Sequence, residues 1–143
     1  MKFTVFIDKD REEEIVVYAR EKNGLIDRIE SLLTDSTEEI LGYKNNVAEI
    51  LHASDVFCFT SENGKIFAVT ENEKYRVKER LYILEERLGN DFIKINQSCI
   101  ANIRKIRCFE SSAYGSLIIV FKNGIRDYVS RRNLKNVKER LGI

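Results

Sequence analysis

Apolar and polar positions change period several times along the chain, and each change marks an element. Residues 3–7 and 14–19 are β-rich runs separated by the charged stretch 8–13, which predicts two short strands and a turn. Leu25, Ile26, Ile29, Leu32 and Leu33 then recur at helical spacing, with Asp27, Arg28, Glu30 and Ser31 opposite. Asn23 is placed to cap that helix. Residues 39–43 read as another short strand. So far the order is β-β-α-β.

From Val47 onward short strands dominate. Residues 56–60 and 65–70 flank Asn63-Gly64, a hairpin signal because that dipeptide accepts positive φ at low cost. Residues 75–77 form the next strand. Residues 116–122 and 125–130 flank a second Asn-Gly, Asn123-Gly124, for which a two-residue type I′ loop is expected. Residues 117–121, Leu-Ile-Ile-Val-Phe, are apolar on both faces, so that strand is expected to be central and buried. Two helices interrupt the strands. One covers residues 79–88, with Leu81, Leu84 and Leu88 on one face and Gly89 placed to end it. The other covers 131–141, with Leu134, Val137 and Leu141 turned inward. The fold class is α+β, mostly antiparallel hairpins in small stacked sheets with two short helices, preceded by the small β-β-α-β segment.

The chain has 143 residues, no proline and no Gly/Ser-rich linker, with 43% apolar and 33% charged residues. That is a globular composition. Uninterrupted apolar runs stop at five residues, far short of the roughly 20 needed to span a membrane as a helix. The first eight residues soon turn acidic and do not read as a secretory signal. Three cysteines (Cys58, Cys99, Cys108) and one histidine, His52, point to a reducing, cytoplasmic setting and away from a disulfide framework or a zinc site. No catalytic motif surrounds any titratable group, so a non-enzyme without cofactor or metal is expected. Cys58 and Cys99 lie in apolar strands and read as inert core residues. His52 reads as a surface residue near a strand end.

A net charge of +1 argues at first against a nucleic-acid partner, but the distribution reverses that inference. Residues 1–45 carry 7 basic and 11 acidic side chains, a balance of −4, and residues 46–143 carry 17 and 12, a balance of +5. Residues 92–143 alone hold 11 basic residues against Glu110, Asp127 and Glu139, a balance of +8. An acidic module of residues 1–45 thus precedes a unit of residues 46–143 with a basic C-terminal end suited to an anion.

The run Phe92-Ile93-Lys94-Ile95-Asn96-Gln97-Ser98-Cys99-Ile100-Ala101-Asn102-Ile103, followed by Asn123-Gly124 and Val129-Ser130-Arg131-Arg132, resembles the LytTR family of bacterial transcription regulators. Asp55-Val56-Phe57-Cys58-Phe59 looks like the family's opening strand and Leu81-Tyr82-Ile83-Leu84-Glu85 like its first helix. The resemblance covers residues 47–141, departing in Lys94, where arginine is usual, and in Ala101, where valine is common. It implies small antiparallel sheets that present loops to successive grooves of double-stranded DNA. Carried over by position, the contacting residues are Asn63 and Lys65 beside Gly64 on the first hairpin, Asn96, Gln97 and Ser98 in the middle turn, and Arg131 and Arg132 opening the last helix. The chemistry is compatible, since glutamine can pair bidentately with adenine and arginine with guanine, while lysine meets phosphate as a point charge. Arg131 and Arg132 also oppose the helix dipole, at roughly 0.3–1 kcal/mol each, unless an anion reverses the sign. Ser130 is the expected N-cap.

The 45 leading residues are too few for the receiver that often precedes such domains. They are instead expected to form a homodimer contact, since the helix offers a five-residue apolar face with little chain to cover it. The resemblance also implies a small membrane-protein antagonist. Two alternatives have a different character: an interaction module whose basic surface meets an acidic or membrane-protein partner, and a regulator switched through the Cys108 thiol.

Overall fold

A computed structural model describes residues 2–33 and 38–143. Its elements are α1 (Gly24–Leu33), β1 (Glu39–Lys44), β2 (Val47–His52), β3 (Cys58–Glu62), β4 (Lys65–Val69), β5 (Lys74–Val77), α2 (Leu81–Arg87), β6 (Phe92–Asn96), β7 (Cys99–Asn102), β8 (Ile106–Ser111), β9 (Leu117–Phe121), β10 (Arg126–Val129) and α3 (Arg131–Leu141). Seven strands form one sheet in the order β2-β1-β5-β4-β3-β7-β6, and three form a second in the order β10-β9-β8. Every pairing is antiparallel. The α+β class is as expected.

The large sheet is buried on both faces along part of its width. On one face Ile40, Phe59, Ala68, Val77 and Ile100 pack with Leu84 and Leu88 of the α2 region. On the other, Cys58, Val69, Ile93, Ile95, Cys99 and Ala101 meet Leu117, Ile119 and Phe121 of the small sheet and Val137 of α3. β9 runs down the middle of the small sheet with four of its five residues buried, as its doubly apolar pattern requires.

The N-terminal stretch departs from expectation. Residues 3–7 and 14–19 form no strand among the described residues and are exposed. Side-chain alternation alone does not make a strand, which needs a partner for its amides and carbonyls. The helix does form, and the Asn23 side chain caps it by accepting from the Leu25 and Ile26 amides at 3.1 Å each. Residues 1 and 34–37 of this stretch lie outside the described residues. The strand expected at 39–43 is β1, and it belongs to the large sheet, pairing with β2 and, through Tyr43 and Arg76, with β5. The 45/46 boundary therefore falls in the tip of the β1–β2 hairpin, where Asn45 and Asn46 both take positive φ (50° and 64°). Arg87 also binds this entry, with its guanidinium on the Glu38 carboxylate at 2.5 Å, the Glu39 carbonyl at 2.8 Å and the Glu79 carboxylate.

Two turn expectations are corrected. The Asn63-Gly64 loop has both residues at positive φ (52° and 75°), as a type I′ turn demands. At Asn123-Gly124 only the glycine does (87°). There Phe121 and Ile125 close a three-residue loop, with the Phe121 amide donating to the Ile125 carbonyl at 2.8 Å and the Gly124 amide to the Phe121 carbonyl at 2.9 Å. The asparagine instead accepts the Ile125 amide on its side chain at 3.1 Å, an arrangement a two-residue loop does not provide. Likewise Gly89 does not cap α2: Leu88 is the C-cap, in extended backbone, while Gly142 closes α3 at a φ of 69°.

Candidate nucleic-acid interface

Three turns that lie far apart in sequence meet at one end of the large sheet. The first is the β3–β4 tip, Asn63-Gly64, flanked by the Glu62–Lys65 pair. The second is the β6–β7 turn, Gln97-Ser98, and the two are joined by the Ser61 amide donating to the Ser98 carbonyl at 2.8 Å. The third is the entry into α3, held to β6 by the Ser130 amide donating to the Ile95 carbonyl at 2.9 Å. Backbone hydrogen bonds thus fix the mutual geometry of all three, so side chains carried on them form one rim.

Asn63, Lys65, Gln97, Ser98, Arg131 and Arg132 are exposed on that rim. Among the described residues Lys65, Arg131 and Arg132 make no ion pair, and neither arginine turns to Asp127 or Glu139. The Asp127 carboxylate already accepts from the Asn96 side chain. Two unneutralised cations in the first turn of an eleven-residue helix face the wrong end of its dipole, and a polyanion corrects that.

Asn96 departs from its expected role. It is 1% exposed, so it does not meet DNA directly. Its amide nitrogen donates to the Asp127 carboxylate at 3.0 Å and to the Tyr128 carbonyl at 2.8 Å, and its oxygen accepts the Ser98 amide at 2.8 Å. One buried side chain thereby locks the middle turn against the strand that leads into α3. Its partner Asp127 escaped the sequence reasoning. The available signal was that Asp127 is one of only three acids in the basic last third of the chain.

Ser130 occupies the N-cap position of α3, but its hydroxyl does not cap the backbone. It accepts from the Asn133 side chain at 2.7 Å, while the Asn133 amide donates to the Ser130 carbonyl at 3.0 Å. Under the rim lies Cys99, whose thiol is pushed well above its ordinary pKa by its hydrogen bond to Cys58, by burial and by the Asp127 charge. A thiol held protonated in this way is inert support, not a nucleophile. Cys108, the candidate switch, is a free, half-buried thiol on β8.

Comparison with known proteins gives one consistent picture. The model of the LytTr DNA-binding domain matches residues 47–142. Proteins named uncharacterized HTH-type transcriptional regulators in Staphylococcus aureus strains bovine RF122 / ET3-1 and MSSA476 are each 34% identical over 149 residues, spanning 100% of this chain and 99% of theirs. A solved LytTr DNA-binding domain of a methyl-accepting/DNA response regulator from Bacillus cereus superposes with a TM-score of 0.70 at 20% identity, covering 73% of this chain and 97% of that one. Likeness at that identity concerns the fold. No described helix is long and apolar enough to cross a membrane.

Proposed function

The chain belongs to the LytTR DNA-binding domain family, and from that premise we propose that it is a sequence-specific transcription regulator that reads duplex DNA through three loops. The single observation that supports this is the rim itself: separate turns tied by backbone hydrogen bonds, presenting Gln97 and three unpaired cations on one edge. The relatives carry a helix-turn-helix name, but here α2 and α3 are separated by five strands, so loops and the first turn of α3 are the reading elements. Gln97 and Arg132 are the base-reading candidates, and Lys65 and Ser98 hold phosphate. Three free thiols suit action in a reducing cytoplasm.

Residues 1–45 supply a homodimer contact in this reading. Phe3, Phe6 and Ile7 are about nine-tenths exposed, and Leu32 is 72% exposed. Apolar surface on that scale calls for a partner, and a second copy would set two DNA half-sites at a fixed spacing.

The test is fluorescence anisotropy on a 30-base-pair duplex selected from a random pool by the wild-type chain. Affinity is expected to fall with salt, log K against log[salt] dropping by about 0.9 per phosphate neutralised. Arg132→Ala is expected to cost about 1–3 kcal/mol and to flatten preference at one base position. An Arg132→Ala protein with unchanged affinity and discrimination would show that the site is misassigned.

A further inference from the structure

The small sheet and α3 cover one face of the large sheet over β6, β7 and β3, and leave its β5-β1-β2 end open. Leu41 and Ile50, paired across β1 and β2, are more than half exposed there. Register and pleat put Lys65, Arg76 and Tyr43 on this same open face: Tyr43 pairs with Arg76, Arg76 with Phe67, and Lys65 lies two residues before Phe67. Lys78, two residues beyond Arg76, confirms the side by placing its ammonium 4.4 Å over the Tyr43 ring. Tyr43, Ala48, Arg76 and Lys78 line an open groove of about 410 Å³.

Two cations of this face, Arg76 and Lys78, stand without acids in contact among the described residues. Ile66 pairs with Val77, so Lys65 and Lys78 follow one step on as cross-strand neighbours of like charge. Like charges so placed destabilise a sheet. The carboxylates within reach are engaged elsewhere. Glu62 holds Lys74 at 2.5 Å, Glu73 holds Lys44, and Glu79 holds Arg87. Among the described residues Arg76 and Lys78 make no ion pair.

We infer that Arg76 and Lys78 extend the nucleic-acid interface beyond the three loops, binding the phosphate backbone of the same duplex where it leaves the Asn63-Gly64 hairpin. The inference rests on the proposed DNA reading and adds a second strip of contacts to it. Lys78 lies one strand spacing beyond Lys65, about 4.8 Å, and successive phosphates of one DNA strand rise about 3.4 Å along the axis. A duplex seated on the rim therefore brings the next one or two phosphates over β5. The two side chains carry no base-reading geometry, so they add affinity and register but leave sequence preference alone.

The experiment compares the full chain with an Arg76→Gln/Lys78→Gln double variant on the same selected duplex over a range of salt. Wild-type binding that is weakened by Arg132→Ala establishes the loop reading. The double variant is then expected to bind all sequences more weakly by the same factor, with the salt slope smaller by about 2 and discrimination intact. Arg76→Lys/Lys78→Arg, which keeps the charges, is expected to restore the slope. An unchanged slope in the Gln double variant overturns the inference while leaving the loop reading standing. So does a fall from dimer to monomer mass with unchanged DNA binding, which would make this face a contact between copies. A wild-type chain that binds no duplex overturns both.

Discussion

Replacing Asn96 with alanine removes the clamp between the middle turn and the entry to α3. Three hydrogen bonds go: the Ser98 amide at 2.8 Å, the Tyr128 carbonyl at 2.8 Å and the Asp127 carboxylate at 3.0 Å. A neutral bond contributes about 0.5–1.5 kcal/mol net and one to a charged group about 1.5–3. Summed, the upper range is about 6 kcal/mol, but Ser98 and Tyr128 are exposed and water replaces part of what they lose. We therefore expect about 2–3 kcal/mol by urea unfolding. The DNA affinity of the folded fraction should also fall, because Gln97 and Arg132 no longer hold a fixed separation. Asn96→Asp is expected to be worse at neutral pH, as it sets two carboxylates together. A loss under 0.5 kcal/mol with wild-type affinity would refute the positioning role.

Other outcomes follow from the same geometry. Gly42→Ala would place a methyl carbon 2.6 Å from Leu51 Cδ1 and 2.7 Å from Tyr75 Cβ, so unfolding should show a loss of about 1–3 kcal/mol. The raised Cys99 pKa gives a pH signature: the unfolded chain ionises this thiol above about pH 8.5 and the folded chain does not. Stability should then fall as pH rises past that value, by up to about 1.4 kcal/mol per pH unit, and Cys99→Ala should remove that slope in a pH series of urea melts. Leu32→Glu with Leu33→Glu, on an exposed helix face, should halve the mass seen by light scattering and leave the urea midpoint of the remainder unchanged. A dimer that persists would remove α1 from the contact.

Local signals were legible and non-local ones were not. The α3 bounds, 131–141, followed from apolar spacing and a cap-type residue ahead of them, both contained within one short window. The Asn63-Gly64 turn followed from a dipeptide whose backbone preference is intrinsic. By contrast, β1 joins β5 through Tyr43 and Arg76, a pairing across 33 positions that no periodicity encodes. Residues 14–19 show the opposite failure. They have the composition of a strand, but the fold offers them no ladder among the described residues. The rim residues lie in motif turns, and the structure brings those turns to one exposed edge. Asn96 was given the wrong role because a polar residue in a turn looks the same in sequence whether it faces solvent or, as here, 1% exposed beneath the turn.

The charge total misleads for a related reason. A net of +1 counts every cation equally, yet cations in this fold divide into two groups. Lys74, Arg104 and Arg126 are tied to Glu62, Asp91 and Glu110 and exert little outward field. Lys65, Arg131 and Arg132 lie at one edge and make no ion pair among the described residues, the Glu62 across from Lys65 being held by Lys74. Because a Debye length at physiological salt is about 8 Å, a duplex at that edge responds to the charges beside it and not to the net total. A near-neutral chain of this kind is expected to have modest non-specific affinity for DNA, since few phosphates are neutralised beyond the rim and the strip at Arg76 and Lys78. Discrimination between sequences must then come from the short list of side chains on the three turns. On the proposed reading, a substitution at Gln97 or Arg132 is expected to change which duplex is chosen, whereas changes at Lys65 are expected to alter only how tightly any duplex is held.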